Sequence, residues 1–322
     1  MKIRKALLLY NPHSGPNDGH LKAVQRAAAV LRDAGAQISI AATRSSAEAG
    51  NQAKGAIAEG CDTIFACGGD GTIQDVAQGL VGGSAALALI PLGTANVLAH
   101  DLGIPSDPAQ AAQAALGSVA LRVSVGHVAC CSVEGAPVSR YFLTVAGVGL
   151  DGYLFHKIEQ TLVGGKKTLG FAAYLLLAIQ IWWSYPMRWF MVTITATAAD
   201  AESIPEPATQ LLAVRIRDFG NVLRRLAPGA SLLRHDFRAV LFRTSSRWRY
   251  LLYVLRGVFG VGYQVPYIES TDATRLRCDA PADGLVCIQA DGDLLGRLPA
   301  EISVVPDALT LLVPRDFELR QR

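Results

Sequence analysis

Three glycine-containing segments follow apolar, strand-like stretches in the first third of the sequence, and their residue types suit the binding of phosphate groups. They are Asn11-Pro-His-Ser-Gly15, Gly68-Gly-Asp-Gly-Thr72 and Pro91-Leu-Gly-Thr-Ala-Asn96. Glycines let the backbone approach a ligand closely, and backbone N–H groups at a helix start bind phosphate oxygens. Thr72 and Thr94 add hydroxyl donors. One such segment alone would be an ordinary tight turn, whereas the three together favour a phosphate site.

One carboxylate, that of Asp70, lies inside the second glycine segment. A carboxylate and a bare phosphate repel each other, so Asp70 fits such a site only if Mg²⁺ or a substrate hydroxyl group lies between the two charges. The sequence therefore associates Asp70 with a metal ion or with a substrate hydroxyl.

The three segments end strands in an alternation of strand-like and helix-like stretches. The strand-like stretches are ALLLYN, QISIAAT, TIFACGG and AALALIPLG, and helical spacing follows each of them. This rhythm predicts a parallel sheet covered by helices. In open sheets of this kind ligands bind beyond the carboxyl ends of the strands, so we expect the three segments at one edge.

The rhythm changes after about Arg122 to a β-rich pattern that predicts an antiparallel second domain. Its strand-like stretches include RYFLTVAGVGL, TQLLAVRIRD, FRAVLFRT and GLVCIQADGD. We expect an α/β domain over residues 1–125, a β-rich domain over 126–300, and closing strands over 301–322 that pack back on the first domain.

The composition narrows the class of protein. The chain has 322 residues, 51% of them hydrophobic, and a net charge of +3, which allows a large core and argues against a general nucleic-acid binder. The six cysteines form no CxxC pair and have no zinc-finger spacing, so we read them as reduced thiols suited to the cytoplasm. The longest apolar stretch, Leu169–Trp183, is shorter than the ~20 residues of a membrane span.

Two further motifs look like nucleotide-binding signatures but lack their context. GVGLDG, Gly147–Gly152, fits GxGxxG, yet it lies outside a clear βαβ unit. GGKKT, Gly164–Thr168, lacks the glycine spacing of a P-loop. We therefore assign neither motif that role.

The motifs NPHSG, GGDGT, PLGTANVLAHDLGIP, GVGLDG and ADGD occur in an order that resembles the diacylglycerol kinase catalytic-domain family, which includes bacterial lipid kinases, sphingosine kinases and ceramide kinases. The similarity runs from Asn11 to about Pro314. GGDGT alone also resembles NAD kinases and phosphofructokinases, and its pairing with PLGTAN is the specific signal. The resemblance implies an N-terminal α/β domain of the NAD kinase and diacylglycerol kinase type. It also implies a C-terminal β-sandwich-like domain that receives the lipid, and ATP bound in the cleft between the domains.

The resemblance also implies roles for individual residues. Asp291 matches the aspartate of the family's Asp-Gly-Glu motif, taken as the general base, and Asp70 is the rival base as well as the implied Mg²⁺ partner. The motif here ends in Asp293, an acid one methylene group shorter than the glutamate of the family motif. The nucleotide site is implied to include Asn11, Ser14, Thr43, Gly68, Gly69, Asp70, Gly71, Thr72, Gly93, Thr94 and Asn96.

A second departure from the family concerns the loop 227–236. Many bacterial members hold a structural Mg²⁺ with paired acids there, whereas this chain has Leu233 and Arg234. Leucine cannot ligate a cation and arginine repels one, so we expect no structural Mg²⁺ at this loop.

The function implied is an ATP-dependent lipid kinase that phosphorylates the hydroxyl group of diacylglycerol or a related lipid. Two alternatives stay open, a non-catalytic regulator that binds nucleotide or membrane and an NAD kinase-like phosphotransferase. The region Arg215–Arg256 holds ten arginines and two acids interleaved with apolar residues. This pattern suits transient binding to an anionic membrane surface by a cytoplasmic protein or, alternatively, a solvated sheet face. Whether the chain forms a homodimer is left open.

Overall fold

The computed structural model describes residues 2–12, 19–161, 179–196, 203–219, 227–259, 264–281 and 284–321. Ser14, the segment Gly164–Thr168 and most of the stretch Leu169–Trp183 lie outside the described residues. The chain divides into two compact units. Unit 1 comprises Met1–Val125, Asp218–Asn221 and Val305–Arg322, and unit 2 comprises Gly126–Arg217 and Val222–Val304.

A parallel sheet lies at the centre of unit 1, as the strand and helix rhythm predicts. Strands β1 (Lys5–Tyr10), β2 (Gln37–Ala42), β3 (Thr63–Gly68) and β4 (Ala86–Pro91) lie in the order β2-β1-β3-β4. The last residues of strand β14 (Asp293–Val313) pair with β4, also in parallel. Every residue of β3 and β4 is buried, which is typical of a sheet covered on both faces.

Helices connect these strands and supply a core rich in alanine. Helices α1 (His20–Asp33) and α5 (Pro108–Gly117) pack on each other, and both bury alanine side chains in the same cluster as Leu8 and Phe65. Small side chains let two helices approach closely, which is how the alanine-rich sequence suits this unit. The helices of unit 1 are α1 (His20–Asp33), α2 (Ser46–Ala58), α3 (Asp70–Ala77), α4 (Val97–Leu102), α5 (Pro108–Gly117) and α8 (Phe317–Gln321).

Unit 2 is built mainly from antiparallel strands, as predicted. Its strands, including β5, which begins in unit 1, are β5 (Val119–Cys131), β6 (Pro137–Phe142), β7 (Val145–Val148), β8 (Phe190–Ala196), β9 (Glu206–Ala208), β10 (Gln210–Val214), β11 (Phe237–Phe242), β12 (Ile268–Cys278) and β13 (Cys287–Ala290). They pair in the sequence β13-β7-β10-β11-β12, and β14 pairs with both β12 and β13, so the hydrogen bonding closes on itself. The described helices of unit 2 include α6 (Leu150–Thr161) and α7 (Arg247–Phe259).

The stretch RYFLTVAGVGL, predicted as one strand, is two strands separated at Leu143 and Thr144. The interruption has a physical cause, because the backbone N–H groups at the break donate to a side chain rather than to a neighbouring strand. Among the described residues, no helix combines the length and the apolar character needed to cross a membrane. The predicted fold class, a parallel α/β domain followed by a mainly antiparallel one, is confirmed.

Candidate functional site

The segment Gly68–Thr72 connects β3 to α3 and leaves the first amides of that helix without a side-chain cap. Helix α3 begins at Asp70, and its N-cap residue is Gly69, which has no side chain to accept the first helical N–H groups. A Cβ atom on Gly71 would meet no atom within 4 Å, so the space beside this turn is open. Because amides at a helix start carry partial positive charge, this turn is suited to bind a phosphate group.

Asn96 closes the third glycine segment, Pro91–Asn96, on itself. Its Oδ1 accepts a hydrogen bond from the N of Gly93 at 3.0 Å, and its Nδ2 donates to the O of Gly93 at 2.8 Å. The backbone of Asn96 is left-handed, with φ of 47°, a conformation that asparagine tolerates better than most residues. Asn96 therefore shapes this segment, and Thr94 stays exposed at its tip.

The two glycine segments contact each other through backbone atoms. A Cβ atom on Gly93 would lie 2.5 Å from the Cα of Gly69, and a Cβ atom on Gly69 would lie 3.3 Å from the Cα of Gly93. The N of Leu92 also donates to the O of Gly68 at 2.9 Å. Since backbone cannot give way as a flexible side chain can, only glycine at position 93 permits this contact. The two segments thus lie together at one edge of the sheet, as predicted.

The Asp70 carboxylate links the second segment, Gly68–Thr72, to helix α4. Its Oδ1 accepts a hydrogen bond from the N of Val97 at 2.6 Å, and the amides of Asn96 and Leu98 also favour its charged form. Burial is the largest influence and raises the pKa of Asp70. Asp70 therefore stabilises the start of α4, a role that the sequence did not indicate. Its service as a metal partner or base stays a prediction.

Two other predicted residues, Asn11 and Thr43, directly follow strands β1 and β2, and a third, Thr72, lies in the first turn of α3. The side-chain Nδ2 of Asn11 donates to the Oγ1 of Thr72 at 3.2 Å, and the N of Asn11 donates to the O of Cys67 at 3.1 Å. The N of Thr43 donates to the O of Tyr10 at 2.8 Å. These contacts hold the ends of β1, β2 and β3 together beside α3, so the polar groups of this edge come from three separate stretches of chain.

Asp291 lies in the turn between β13 and β14 of unit 2, and its carboxylate accepts four hydrogen bonds. Oδ1 accepts from the N and Oγ1 of Thr144, at 2.8 and 2.5 Å, and from the N of Val145 at 3.0 Å. Oδ2 accepts from the N of Leu143 at 2.7 Å. Asp291 and Gly292 have φ angles of 50° and 88°, as in a two-residue type I′ hairpin, which favours the sequence Asp-Gly. The turn therefore holds this carboxylate at the break between β6 and β7.

The surroundings of Asp291 favour a carboxylate that can accept a proton. Burial raises the pKa of Asp291, and the four hydrogen bonds only partly oppose the rise. Among the described contacts, Oδ1 has three donors and Oδ2 has one, so Oδ2 keeps capacity for a further hydrogen bond. The fully buried Arg215 interacts favourably with the charge of Asp291, and its backbone N donates to the O of Thr144 at 2.9 Å.

A second acid, Asp151, connects to the same turn through Gln289. The Nε2 of Gln289 donates to Asp151, and its Oε1 accepts from the N of Gly292 at 2.8 Å. Burial raises the pKa of Asp151 to about 6. A Cβ atom on Gly147 would lie 2.0 Å from the Asp151 carboxylate, which accounts for a glycine in GVGLDG without a nucleotide. Sequence reasoning missed Gln289 and Thr144, and no local motif marks either residue.

The loop 227–236 contains its own cationic group. The guanidinium of Arg234 donates to both carboxylate oxygens of the buried Asp236, each at 2.6 Å, and lies 2.9 Å from Oδ2 of Asp272. The guanidinium of Arg215 donates to the O of Asp236 at 2.6 Å. Within the described ranges, no group of three or more His, Cys, Asp and Glu side chains could hold a metal ion. Arg234 itself therefore neutralises Asp236, the acid of this loop, and Asp272 of β12.

The described arginines of 215–256 do not share one environment. Arg215 is fully buried. Arg238 forms an ion pair with Asp272 at 2.7 Å, and Arg243 pairs with two glutamates. Three others belong to helix α7. A count of arginines therefore overstates the cationic surface.

Comparison with known proteins gives one consistent family. Residues 5–128 match the model of the family described as diacylglycerol kinase catalytic domain. The chain is 25% identical over 320 residues to a diacylglycerol kinase of Bacillus subtilis strain 168, with 98% of each chain covered. It is also 25% identical over 327 residues to a diacylglycerol kinase of Mycobacterium tuberculosis, covering 98% of this chain and 96% of that one.

A solved structure supports the same assignment at the level of the fold. The crystal structure of a diacylglycerol kinase from Bacillus anthracis strain Sterne superposes with a TM-score of 0.71 at 21% identity, over 98% of this chain and 99% of that one. The resemblance predicted from the sequence motifs is confirmed.

Proposed function

Because residues 5–128 match the model of the diacylglycerol kinase catalytic-domain family, we propose that this protein is an ATP-dependent lipid kinase. It transfers the γ-phosphate of ATP to the hydroxyl group of diacylglycerol or a related lipid. The observation that carries the proposal is the backbone contact of Gly69 with Gly93, which joins the two glycine segments of this domain beside the uncapped start of α3. The names of the relatives, which are kinases of diacylglycerol, support the same class of substrate.

The glycine segments of unit 1 fit the phosphates of ATP. The open space beside Gly71 leaves room for a phosphate group next to the first amides of α3, and Thr72 and Thr94 carry hydroxyl groups at the same edge. Phosphoryl transfer depends mainly on positioning and charge neutralisation. Backbone amides held in place by a rigid loop contact provide both.

The residues of this edge also fit a Mg²⁺ ion that takes most of its ligands from the nucleotide. Mg²⁺ often binds one or two carboxylates together with substrate phosphates and water, and Asp70 is the carboxylate within the glycine segments. When bound, the ion neutralises charge on the phosphates. Asp70 would be its protein partner, directly or through water, while its contact with Val97 holds α4 in place.

We assign Asp291 the role of general base, which accepts the proton of the lipid hydroxyl as that oxygen attacks the γ-phosphate. Three features support the assignment: the carboxylate is fixed by four donors, its pKa is raised by burial, and Oδ2 has capacity for another hydrogen bond. The rival base, Asp70, has its carboxylate engaged with the amides that start α4. We expect Asp70 to act through nucleotide binding instead.

The same proposal includes a cytoplasmic protein that binds an anionic membrane transiently to reach its lipid. The six cysteines are free thiols, and five of them are buried, which is consistent with a reducing compartment. Nothing in the proposal requires nucleic acid as a partner. Whether the protein forms a homodimer is tested by analytical ultracentrifugation of the purified chain.

A kinase assay with a panel of lipids tests the proposed function. The purified protein is incubated with radiolabelled ATP, Mg²⁺ and detergent-dispersed lipids that present a free hydroxyl, and the product is identified by mass. Asp291→Asn is expected to lower turnover about 10²- to 10⁴-fold, the usual contribution of a general base. Asp307→Asn is the matched control, because Asp307 also has a left-handed backbone, with φ of 46°, and is exposed. Equal turnover of the two variants would remove Asp291 from the role of base.

Two further arms of the same assay test the alternatives. Phosphorylation of NAD in preference to every lipid would indicate an NAD kinase-like enzyme. Binding of ATP, measured by calorimetry, without phosphorylation of any lipid or of NAD would indicate a non-catalytic regulator.

A further inference from the structure

Helix α7 of unit 2 has two opposite faces in different environments. Tyr250, Tyr253 and Gly257 are buried, and the ring of Tyr250 lies 4.6 Å from that of Phe242. On the other side, Trp248 exposes 69% of its surface. The helix is thus packed on unit 2 by one face while large apolar side chains project from the other.

Four exposed apolar residues of α7 fall in a line along the helix, and Val254 and Val258, which are 44% and 38% exposed, lie off this line on the side of Arg247. With 3.6 residues in each turn, successive residues are about 100° apart, so residues spaced by 4, 3 and 4 positions lie within about 60° of one another. This line, here called the α7 stripe, is roughly opposite the buried face. It consists of Trp248, Leu252, Leu255 and Phe259, of which Leu252 exposes 40% and Phe259 exposes 73% of its surface.

Arginine residues lie on both sides of the α7 stripe. The helix sequence RWRYLLYVLRGVF contains three arginines and no acidic residue. Arg249 and Arg256 lie on one side of the stripe and Arg247 on the other, each roughly 70 to 110° from its centre line. The stripe is therefore an apolar surface with cationic borders.

Each border also carries an exposed aromatic side chain from another part of unit 2. The guanidinium of Arg247 lies 5.9 Å from the ring centre of Trp183, which is 62% exposed. The guanidinium of Arg249 lies 4.2 Å from the ring centre of Tyr267, which is 57% exposed. Tyr267 has a φ of 69°, a backbone conformation unfavourable for a bulky residue. The fold thus holds an aromatic ring outward despite local strain.

We propose that the α7 stripe is the surface by which this protein docks on an anionic lipid bilayer. An apolar helix face enters the boundary between headgroups and acyl chains, tryptophan and tyrosine favour the headgroup level, and arginines near the surface attract anionic lipids. A second copy of the chain fits less well, because a symmetric contact would bring arginines of one α7 against those of the other, with no acid on either helix.

Vesicle sedimentation without ATP tests this proposal, which deepens the proposed function by naming where the enzyme meets its membrane. The purified protein is mixed with vesicles of phosphatidylcholine alone or of phosphatidylcholine with phosphatidylglycerol. We expect binding to the anionic vesicles that weakens as salt is added and a blue shift of tryptophan fluorescence. The affinity of the double variant Trp248→Ser/Phe259→Ser for anionic vesicles should be lower by on the order of tenfold or more. The reason is that two aromatic side chains are no longer transferred from water into the bilayer.

Matched controls separate the stripe from general surface hydrophobicity. Ile204→Ser and Leu319→Ser also remove exposed apolar side chains, which are 85% and 72% exposed, and both should bind vesicles as the unaltered protein does. All variants should keep the unaltered melting temperature, which shows that they fold.

Three results would overturn the proposal: unchanged binding of the double variant, equal binding to neutral and anionic vesicles, or a dimer that the double variant converts to monomers. A protein that phosphorylates detergent-dispersed lipid but does not bind vesicles would refute the proposal for the stripe and leave the proposed kinase activity standing. Vesicle binding through the stripe without any phosphorylation refutes the function instead.

Discussion

Replacing Thr144 by valine tests how the groups around Asp291 set its proton affinity. The Oγ1 of Thr144 donates to Oδ1 of Asp291 at 2.5 Å, and this hydrogen bond lowers the pKa that burial raises. Valine keeps the shape of the side chain and the backbone donor but removes the hydroxyl group. A hydrogen bond to a charged group contributes about 1.5–3 kcal/mol, and about 1.4 kcal/mol corresponds to one pH unit. The pKa of Asp291 should therefore rise by about one to two pH units.

The pH dependence of kcat/KM, measured with the best lipid in detergent micelles, reports this change. A general base must be ionised, so activity falls as pH drops through its pKa, and Thr144→Val should move this acid limb to higher pH. Thr144→Ser keeps a hydroxyl donor and should leave the limb in place. The KM for ATP should be the same in both variants, since Thr144 belongs to unit 2 and not to the glycine segments.

Protein stability gives a second readout that does not depend on catalysis. Because the pKa of Asp291 is raised by folding, its contribution to stability is present at low pH and is lost as pH rises through the folded-state pKa. Thr144→Val should enlarge this loss of stability. The free energy of unfolding of Thr144→Val should therefore be lower than that of Thr144→Ser, and the difference between the two variants should be larger at pH 8 than at pH 4. An acid limb that stays in place or moves to lower pH in the valine variant would refute the argument.

Three other predictions concern substitutions at contacts within unit 1 or within unit 2. Gly93→Ala should weaken ATP binding in calorimetry and destabilise the protein by about 1–3 kcal/mol, because its Cβ would meet the backbone of Gly69. Gly71→Ala is the control and should not destabilise the protein, because the space beside Gly71 is open. Equal melting temperatures of the two variants would contradict the steric argument. Asp151→Asn should raise the melting temperature above about pH 6. The pKa of Asp151 is raised to about 6, so above that pH the substitution removes a buried charge. A melting-temperature difference between the variant and the unaltered protein that is the same at pH 4 and pH 8 would count against this. Arg234→Met should lower stability by roughly 1–3 kcal/mol, with solvent replacing part of the lost attraction. EDTA should leave the melting temperature of the unaltered protein the same. A melting temperature that falls with EDTA and is restored by Mg²⁺ would show a structural metal ion.

The edge of the parallel sheet could be predicted from the sequence because its signals are local. A buried apolar run followed by glycine and a helix start is visible in a few residues, and the rule for parallel strands places such loops together. The role of Asp70 was less accessible. Its partner, the N of Val97, is 27 positions away, and a carboxylate in a glycine loop looks the same in sequence whether it meets an amide or a metal ion.

The surroundings of Asp291 could not be predicted, because the donors lie far away along the chain. The Asp-Gly pair marks a hairpin turn, but the amides of Leu143 and Val145 are 148 and 146 positions distant. These amides can donate to Asp291 only because the chain leaves the strand between β6 and β7. No residue type in RYFLTVAGVGL marks that interruption. Similarly, the sequence does not distinguish Arg215, which is fully buried, from the arginines that border the α7 stripe.

The hairpin at Asp291 and Gly292 also bears on chemical ageing. In a flexible chain, an aspartyl-glycyl pair rearranges to isoaspartate when the following amide nitrogen attacks the carboxyl carbon. Here that nitrogen donates to Gln289 at 2.8 Å, and the carboxyl group is fixed by the segment 143–145. These hydrogen bonds hold both reacting groups in the folded hairpin and oppose the attack, so isoaspartate at this position would record how long the turn had been open.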